Sequence, residues 1–186
     1  QPTKHYRSYQ SLSKSQPAAI FWDMDGTLID TEPLWGQATY ELSELLGRKL
    51  SPEKRAATIG GSFAATLNIV ADWAGYELQD GDETKYHSWM TSRMASLLED
   101  GVVLNPGIQG VLASLAGRGT PMVVTTNTEW VLANRCIAAI GRQYFVDTIT
   151  GDEVENPKPA PDMYLEAAQR VNADPQTCLV FEDSRN

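Results

Sequence analysis

Cysteine is scarce in this chain of 186 residues, with only Cys136 and Cys178 present, which excludes a small scaffold stapled by disulfides. Both lie among apolar neighbours, one in a helical pattern and one in a strand pattern. They are expected to be buried free thiols of a cytoplasmic protein. Histidine is as rare: His5 and His87 have no partner at zinc-ligand spacing and are expected at the surface. No apolar run approaches the ~20 residues of a membrane span, so no membrane partner is expected. Positive charge is short as well, with 15 basic against 24 acidic residues and a net charge of −9. Residues 1–20 hold three of the bases, Lys4, Arg7 and Lys14, and none of the acids. Residues 1–17 are expected to be an exposed tail, having too little arginine for a transit peptide. The remaining body is strongly acidic, which excludes nucleic acid as a partner; an anionic ligand needs local positive charge, such as a bound metal.

What is present is a change of hydrophobic period. Residues 18–22 form a short apolar run closed by the turn pair Asp25-Gly26. From residue 32 to about residue 100 the period is helical: Leu34, Ala38, Leu42 and Leu45 share one face, as do Phe63, Leu67, Val70 and Ala74, then Tyr86, Met90, Met94 and Leu97. Ser51-Pro52-Glu53 and Ser62 have the residue types of helix starts. Beyond residue 102, strand and helix alternate: a helix over 108–116, a strand over 122–125, a helix with Trp130, Ala133, Ile137 and Ile140 inward, a strand over 145–149, a helix opened by Pro161-Asp162, and a strand over 178–181. The tryptophans at 35, 73, 89 and 130 sit at helical spacing and are expected to pack. The pattern predicts an α/β fold: a Rossmann-like, doubly wound parallel sheet over residues 18–30 and 104–186, with an inserted all-helical unit over 31–103.

Three strands finish in polar residues: Asp23 with Asp25, Thr125 with Thr126 and Asn127, and Glu182 with Asp183. In a parallel sheet the carboxyl ends share one edge, where ligands bind, so these groups should converge. Residues two apart in a strand share a face, about 7 Å apart, which puts Asp23 and Asp25 side by side with Met24 turned away. Two carboxylates about 5 Å apart repel by about 3 kcal/mol at an effective dielectric near 20. A cation is required among them, and an all-oxygen set without nearby histidine or cysteine favours Mg²⁺ over zinc. Lys158, between Pro157 and Pro159, adds one positive charge on a restrained loop. Such a set suits phosphoryl transfer, with Asp23 as nucleophile, Asp25 as the proton donor and acceptor, and Thr125, the following backbone N–H groups and Lys158 on the phosphoryl oxygens. Thr126 or Asn127 could do the work of Thr125. Glu32 could touch substrate at a hinge or simply favour a helix N-terminus, and Gly60-Gly61-Ser62 could reach substrate or simply turn.

With Asp23-Met24-Asp25-Gly26-Thr27-Leu28, Thr125, Lys158-Pro159-Ala160-Pro161-Asp162 and Phe181-Glu182-Asp183-Ser184 in this order, the chain resembles the haloacid dehalogenase superfamily. The likeness is to the phosphatase and β-phosphoglucomutase branch with a helical cap. It implies Mg²⁺ bound by Asp23, the backbone carbonyl of Asp25, and Asp183 with Glu182 close by. It further implies an aspartyl-phosphate intermediate, and a cap hinged near residues 30–34 and 101–106. Asp30-Thr31-Glu32-Pro33-Leu34-Trp35 looks like the sugar-phosphate phosphatases; the mutases have a histidine near position 34 or 35, which is absent here. The expectation is therefore a Mg²⁺-dependent phosphomonoesterase acting on a small phosphorylated metabolite, a sugar or polyol phosphate, as a monomer or weak dimer. The alternatives are a hexose phosphomutase and an inactive binding or regulatory module. The resemblance also implies a further helix and strand after the Glu182-Asp183 pair, so that residues 104–186 are expected to be an incomplete core half.

Overall fold

The computed structural model describes residues 15–184. The expected N-terminal tail lies outside the described residues except for 15–17, and so does His5. Four parallel strands form one sheet in the order β3-β2-β1-β4: β1 (Ile20–Trp22), β2 (Met122–Thr126), β3 (Asp147–Thr150) and β4 (Leu179–Phe181). The register aligns Trp22 with both Val124 and Phe181, and Thr126 with Thr150, so all four strands deliver their last residues to the same edge. Successive strand side chains point to opposite faces. Ile20, Trp22, Met122 and Val124 pack on one side, against α5 (Ile108–Gly117) and α6 (Trp130–Ile140). Ala19, Phe21, Val123 and Ile149 pack on the other, against α7 (Asp162–Arg170). A sheet covered on both faces by crossover helices is the doubly wound arrangement the alternating pattern predicts.

Between β1 and α5 the chain makes four helices, α1 (Glu32–Leu45), α2 (Pro52–Thr58), α3 (Phe63–Ala74) and α4 (Asp82–Leu98). The Ser51 and Ser62 hydroxyls cap α2 and α3, accepting from the amides of Lys54 and Ala65 at 3.2 Å each. Chain entry and exit run together. The Asp30 amide donates to the Val103 carbonyl at 2.8 Å, the Asn105 amide to the Leu28 carbonyl at 3.0 Å, and the Asn105 side chain to the carbonyls of Gly26 and Thr27. The helices also meet the core where α4 approaches α6: Arg135 donates to the Ala95 carbonyl at 3.1 Å, and His87 pairs with Glu129 at 2.8 Å. Among the described residues no helix is long and apolar enough to cross a membrane.

Several expected packing positions differ. Leu45 ends α1 with its side chain 55% exposed, because the helix stops there and the next buried contact is made by Leu46. Trp130 is the first residue of α6 and lies half exposed beyond the sheet edge, with the Arg142 guanidinium 5.9 Å from its ring centre. Cys136 is buried and free, as expected; Cys178 is also free but only half buried. It precedes β4, which among the described residues pairs with β1 alone, and all three β4 residues are more than 40% exposed there.

Candidate active site

Asp23 follows β1 directly. Its amide donates to the Phe181 carbonyl at 2.9 Å, which holds it beside Glu182 at the end of β4. Met24 is fully buried, so the chain alternates out of the strand as expected and both Asp23 and Asp25 line one cavity of about 290 Å³. Glu32, Thr126, Asn127, Lys158, Glu182 and Asp183 line the same cavity. That size is at the small end of ligand pockets, roughly 300–1,000 Å³, and suits a small metabolite.

Lys158 binds three acceptors at the sheet edge: Asp23 Oδ1 at 2.9 Å, Glu182 Oε2 at 2.8 Å and the Thr125 carbonyl at 2.7 Å. The side chain is only 10% exposed. Burial pulls its pKa down, but Asp23 and Glu182 together outweigh that and hold it above the usual lysine value, so it is charged. Burial pushes the Asp23 carboxyl up to about 8, with Lys158 offsetting only part of the effect and Asp183 and Glu182 adding to it. Glu182 is less enclosed; burial raises it, but its hydrogen bond to Lys158 and that residue's charge win and bring it to about 2. One lysine thus serves two carboxylates and satisfies only one of them.

Oxygens of Asp23, Glu182 and Asp183 lie within 4.8 Å of one another, and the Thr27 hydroxyl donates to Asp23 Oδ2 at 3.2 Å and Asp183 Oδ1 at 3.1 Å. Hard carboxylate donors, one of them destabilised as the anion, fit a divalent cation of the Mg²⁺ type. Gly26 makes room for Asp183: a Cβ there would stand 2.3 Å from Asp183 Oδ2, and φ is +82°.

Asp25 accepts from four donors. The Thr31 hydroxyl and the Trp35 indole N–H (3.1 Å) donate to Oδ1, and the hydroxyls of Thr128 (2.6 Å) and Thr126 (3.5 Å) face Oδ2. Thr31 and Trp35 are four residues apart at the start of α1, on one helical face, so the first turn of the insertion holds this carboxylate. Trp35 is therefore a wall of the site as well as a packing residue. Thr126 also accepts from the Thr128 amide at 3.1 Å.

Thr125 does not reach the cavity. It is fully buried and its hydroxyl donates to the Trp22 carbonyl at 3.3 Å, because alternation in β2 puts it on the same face as buried Val123, and Thr126, the last residue of the strand, stands at the lip. Asn127 lines the cavity, but its side-chain amide is used on Lys158: Nδ2 donates to the Lys158 carbonyl at 3.0 Å and Oδ1 accepts from its amide at 2.8 Å. It anchors the lysine loop. Gly151, after β3, supports that segment from below, since a Cβ would stand 2.2 Å from the Asn127 carbonyl oxygen. Glu32 is at the first position of α1 and pairs with Arg55 of α2 across the cavity mouth; burial raises its carboxyl above the usual value and Arg55 opposes this. His87, expected as an isolated surface residue, pairs with Glu129, and both line the cavity.

The haloacid dehalogenase-like hydrolase family model matches residues 17–186, which takes in every residue of this site. The chain belongs to that family. It stands in the family's phosphatase and β-phosphoglucomutase-like branch. The chain is 34% identical over 168 residues to fructose-1-phosphate phosphatase YqaB of Escherichia coli (strain K12), covering 90% of this chain and 87% of that protein. It is 28% identical over 172 residues to the phosphorylated carbohydrates phosphatase of Thermotoga maritima, covering 90% and 77%. Among solved structures it is similar to CbbY from Rhodobacter sphaeroides in complex with xylulose-(1,5)bisphosphate, with a TM-score of 0.74 and 26% identity over 91% of this chain and 79% of that one. The haloacid dehalogenase-like hydrolases are enzymes, and with these relatives this member is a phosphatase.

Proposed function

We propose that the protein is a Mg²⁺-dependent phosphomonoesterase for a small sugar or polyol phosphate, with residues 31–103 acting as a cap over residues 18–30 and 104–186. The observation that carries this is one lysine, Lys158, bonded to both Asp23 and Glu182 in a cavity that also holds Asp25. Asp23 attacks phosphorus, forming an aspartyl phosphate and breaking the ester bond. The leaving oxygen takes the proton of Asp25, which then removes one from the water that attacks the aspartyl phosphate and releases inorganic phosphate. Thr126, the backbone N–H groups after it, and the Lys158 ammonium hold the phosphoryl oxygens as charge shifts among them. Asp23, Glu182 and Asp183 would hold Mg²⁺, which supplies the positive charge a phosphoryl dianion needs in an acidic cavity. Thr31 and Trp35 orient Asp25 from the insertion, so movement of α1 would couple cap closure to the proton-transfer group. Two free thiols support a reducing compartment, the cytoplasm.

The test is release of inorganic phosphate from a panel of sugar and polyol monophosphates with Mg²⁺. Hydrolysis of several is expected. Conversion of a hexose 1-phosphate into its isomer without phosphate release would favour the mutase instead. The metal has a pH signature of its own. With Asp23 raised to about 8 and Glu182 lowered to about 2, one proton must leave Asp23 before it can act as a ligand. Mg²⁺ affinity should weaken by about tenfold per pH unit below about pH 8. The rise in melting temperature on adding Mg²⁺ should accordingly be larger near pH 8 than near pH 6; equal shifts would remove Asp23 from the ligand set.

A further inference from the structure

The end of the cavity away from Lys158 is built from residues of the insertion and from the segment after β2. Arg55 projects there from α2 with its side chain 10% exposed; it pairs with Glu32, and its Nη1 donates to the Thr58 hydroxyl at 2.7 Å. Across from it His87 of α4 pairs with Glu129 at 2.8 Å, with the Phe63 ring edge-on to the imidazole. Among the described residues lining the cavity, the basic side chains are Arg55, His87 and Lys158, and each already has an acid as its partner. The carboxyls of Asp25 and Asp183 are also close enough to repel Glu32, so the negative field of the catalytic end extends to this one.

Resting on the phosphatase reading, we infer that this end selects phosphomonoesters whose leaving group is uncharged and rich in hydroxyls, and turns away substrates with a second phosphate or a carboxylate. The Glu32–Arg55 and His87–Glu129 pairs are the selectors. An incoming anion meets Glu32 and Glu129 and finds no uncommitted cation; it must break an existing pair, leaving a displaced carboxylate in a partly desolvated wall. A hydroxyl meets no such cost. It donates to either carboxylate and accepts from the Thr66 hydroxyl without disturbing the pairs. The same inventory argues against mutase chemistry, whose bisphosphate intermediate must turn its second phosphate into this end.

The experiment is steady-state phosphate release with Mg²⁺ from fructose 1-phosphate and a hexitol phosphate, against fructose 1,6-bisphosphate and 2-phosphoglycolate. The wild-type kcat/KM should favour the uncharged leaving groups by about tenfold or more. Glu32→Gln leaves the Arg55 guanidinium free, and the bisphosphate-to-monophosphate ratio of kcat/KM should rise about tenfold; Glu129→Gln should move it the same way by freeing His87. The ratio is taken within one preparation, so a partly unfolded variant does not distort it. Wild-type turnover of the bisphosphate as fast as the monophosphates, or a ratio unmoved in both variants, overturns the inference while leaving the phosphatase in place. No release from any substrate, an aryl phosphate included, overturns the phosphatase reading and this inference with it.

Discussion

Replacing Asp23→Asn should cut phosphate release by about 10,000-fold or more and, in the same molecule, raise the melting temperature of the metal-free protein at alkaline pH. The first effect follows from chemistry, because an amide of the same shape cannot form the aspartyl phosphate. The second follows from burial. The folded-state pKa of Asp23 is raised from 3.8 to about 8, so its protonated form favours the fold; that contribution is complete below pH 3.8 and is lost progressively as pH rises to about 8. An ionised Asp23 above that pH destabilises the metal-free fold by on the order of a few kcal/mol, and the amide variant avoids this. Thermal denaturation without metal should show the variant melting higher than wild type near pH 9 and no higher below pH 3.8, the unfolded-state value. Residual turnover within a hundredfold of wild type would dismiss Asp23 as nucleophile. Equal melting at both pH values would dismiss the buried, uncompensated carboxylate.

Lys158→Met is expected to lower kcat by about 100- to 1,000-fold, the range seen when one preorganised donor to a transition-state oxyanion is removed. Its effect is larger than that of an exposed lysine because the ammonium is buried and bonded at 2.7–2.9 Å to three oxygens on β1, β2 and the end of β4. Without it Asp23 loses the main influence that lowers its pKa, so the acid limb of the rate profile should move to higher pH. Lys158→Arg should fare little better, since a planar guanidinium does not match a compact site that takes three bonds from one nitrogen. The check is steady-state kinetics on an aryl phosphate across pH. A kcat within about tenfold of wild type for the Met variant would remove the lysine from the transition-state contacts.

The convergence of the acidic residues on one cavity was legible where they follow apolar runs. Short buried strands end abruptly, and Asp23, Asp25, Glu182 and Asp183 stand just after the last apolar position. Which threonine reaches the cavity was less legible: alternation in β2 puts Thr125 on the buried face of Val123, and the strand's last residue, Thr126, lines the cavity. Partnerships across the fold were not legible. Trp35 has the spacing of a packing residue, and only the position of α1 over the sheet edge brings its N–H to Asp25. His87 and Glu129 are 42 residues apart, one in α4 and the other just before α6, and no local pattern links them. Gly151 is needed because Asn127 crosses above it, a constraint imposed by a segment distant in sequence.

β4 carries two of the clustered acids at its end. Three ladder residues paired to β1 and one ring stack, Trp22 on Phe181 at 4.5 Å, tie this strand to the sheet. Glu182 and Asp183 hang from its end. Separation of β4 from β1 would disperse the three clustered carboxylates, and any ion they grip would act as a rivet between the two strand ends. Local melting there and loss of the ion are one equilibrium seen from two sides.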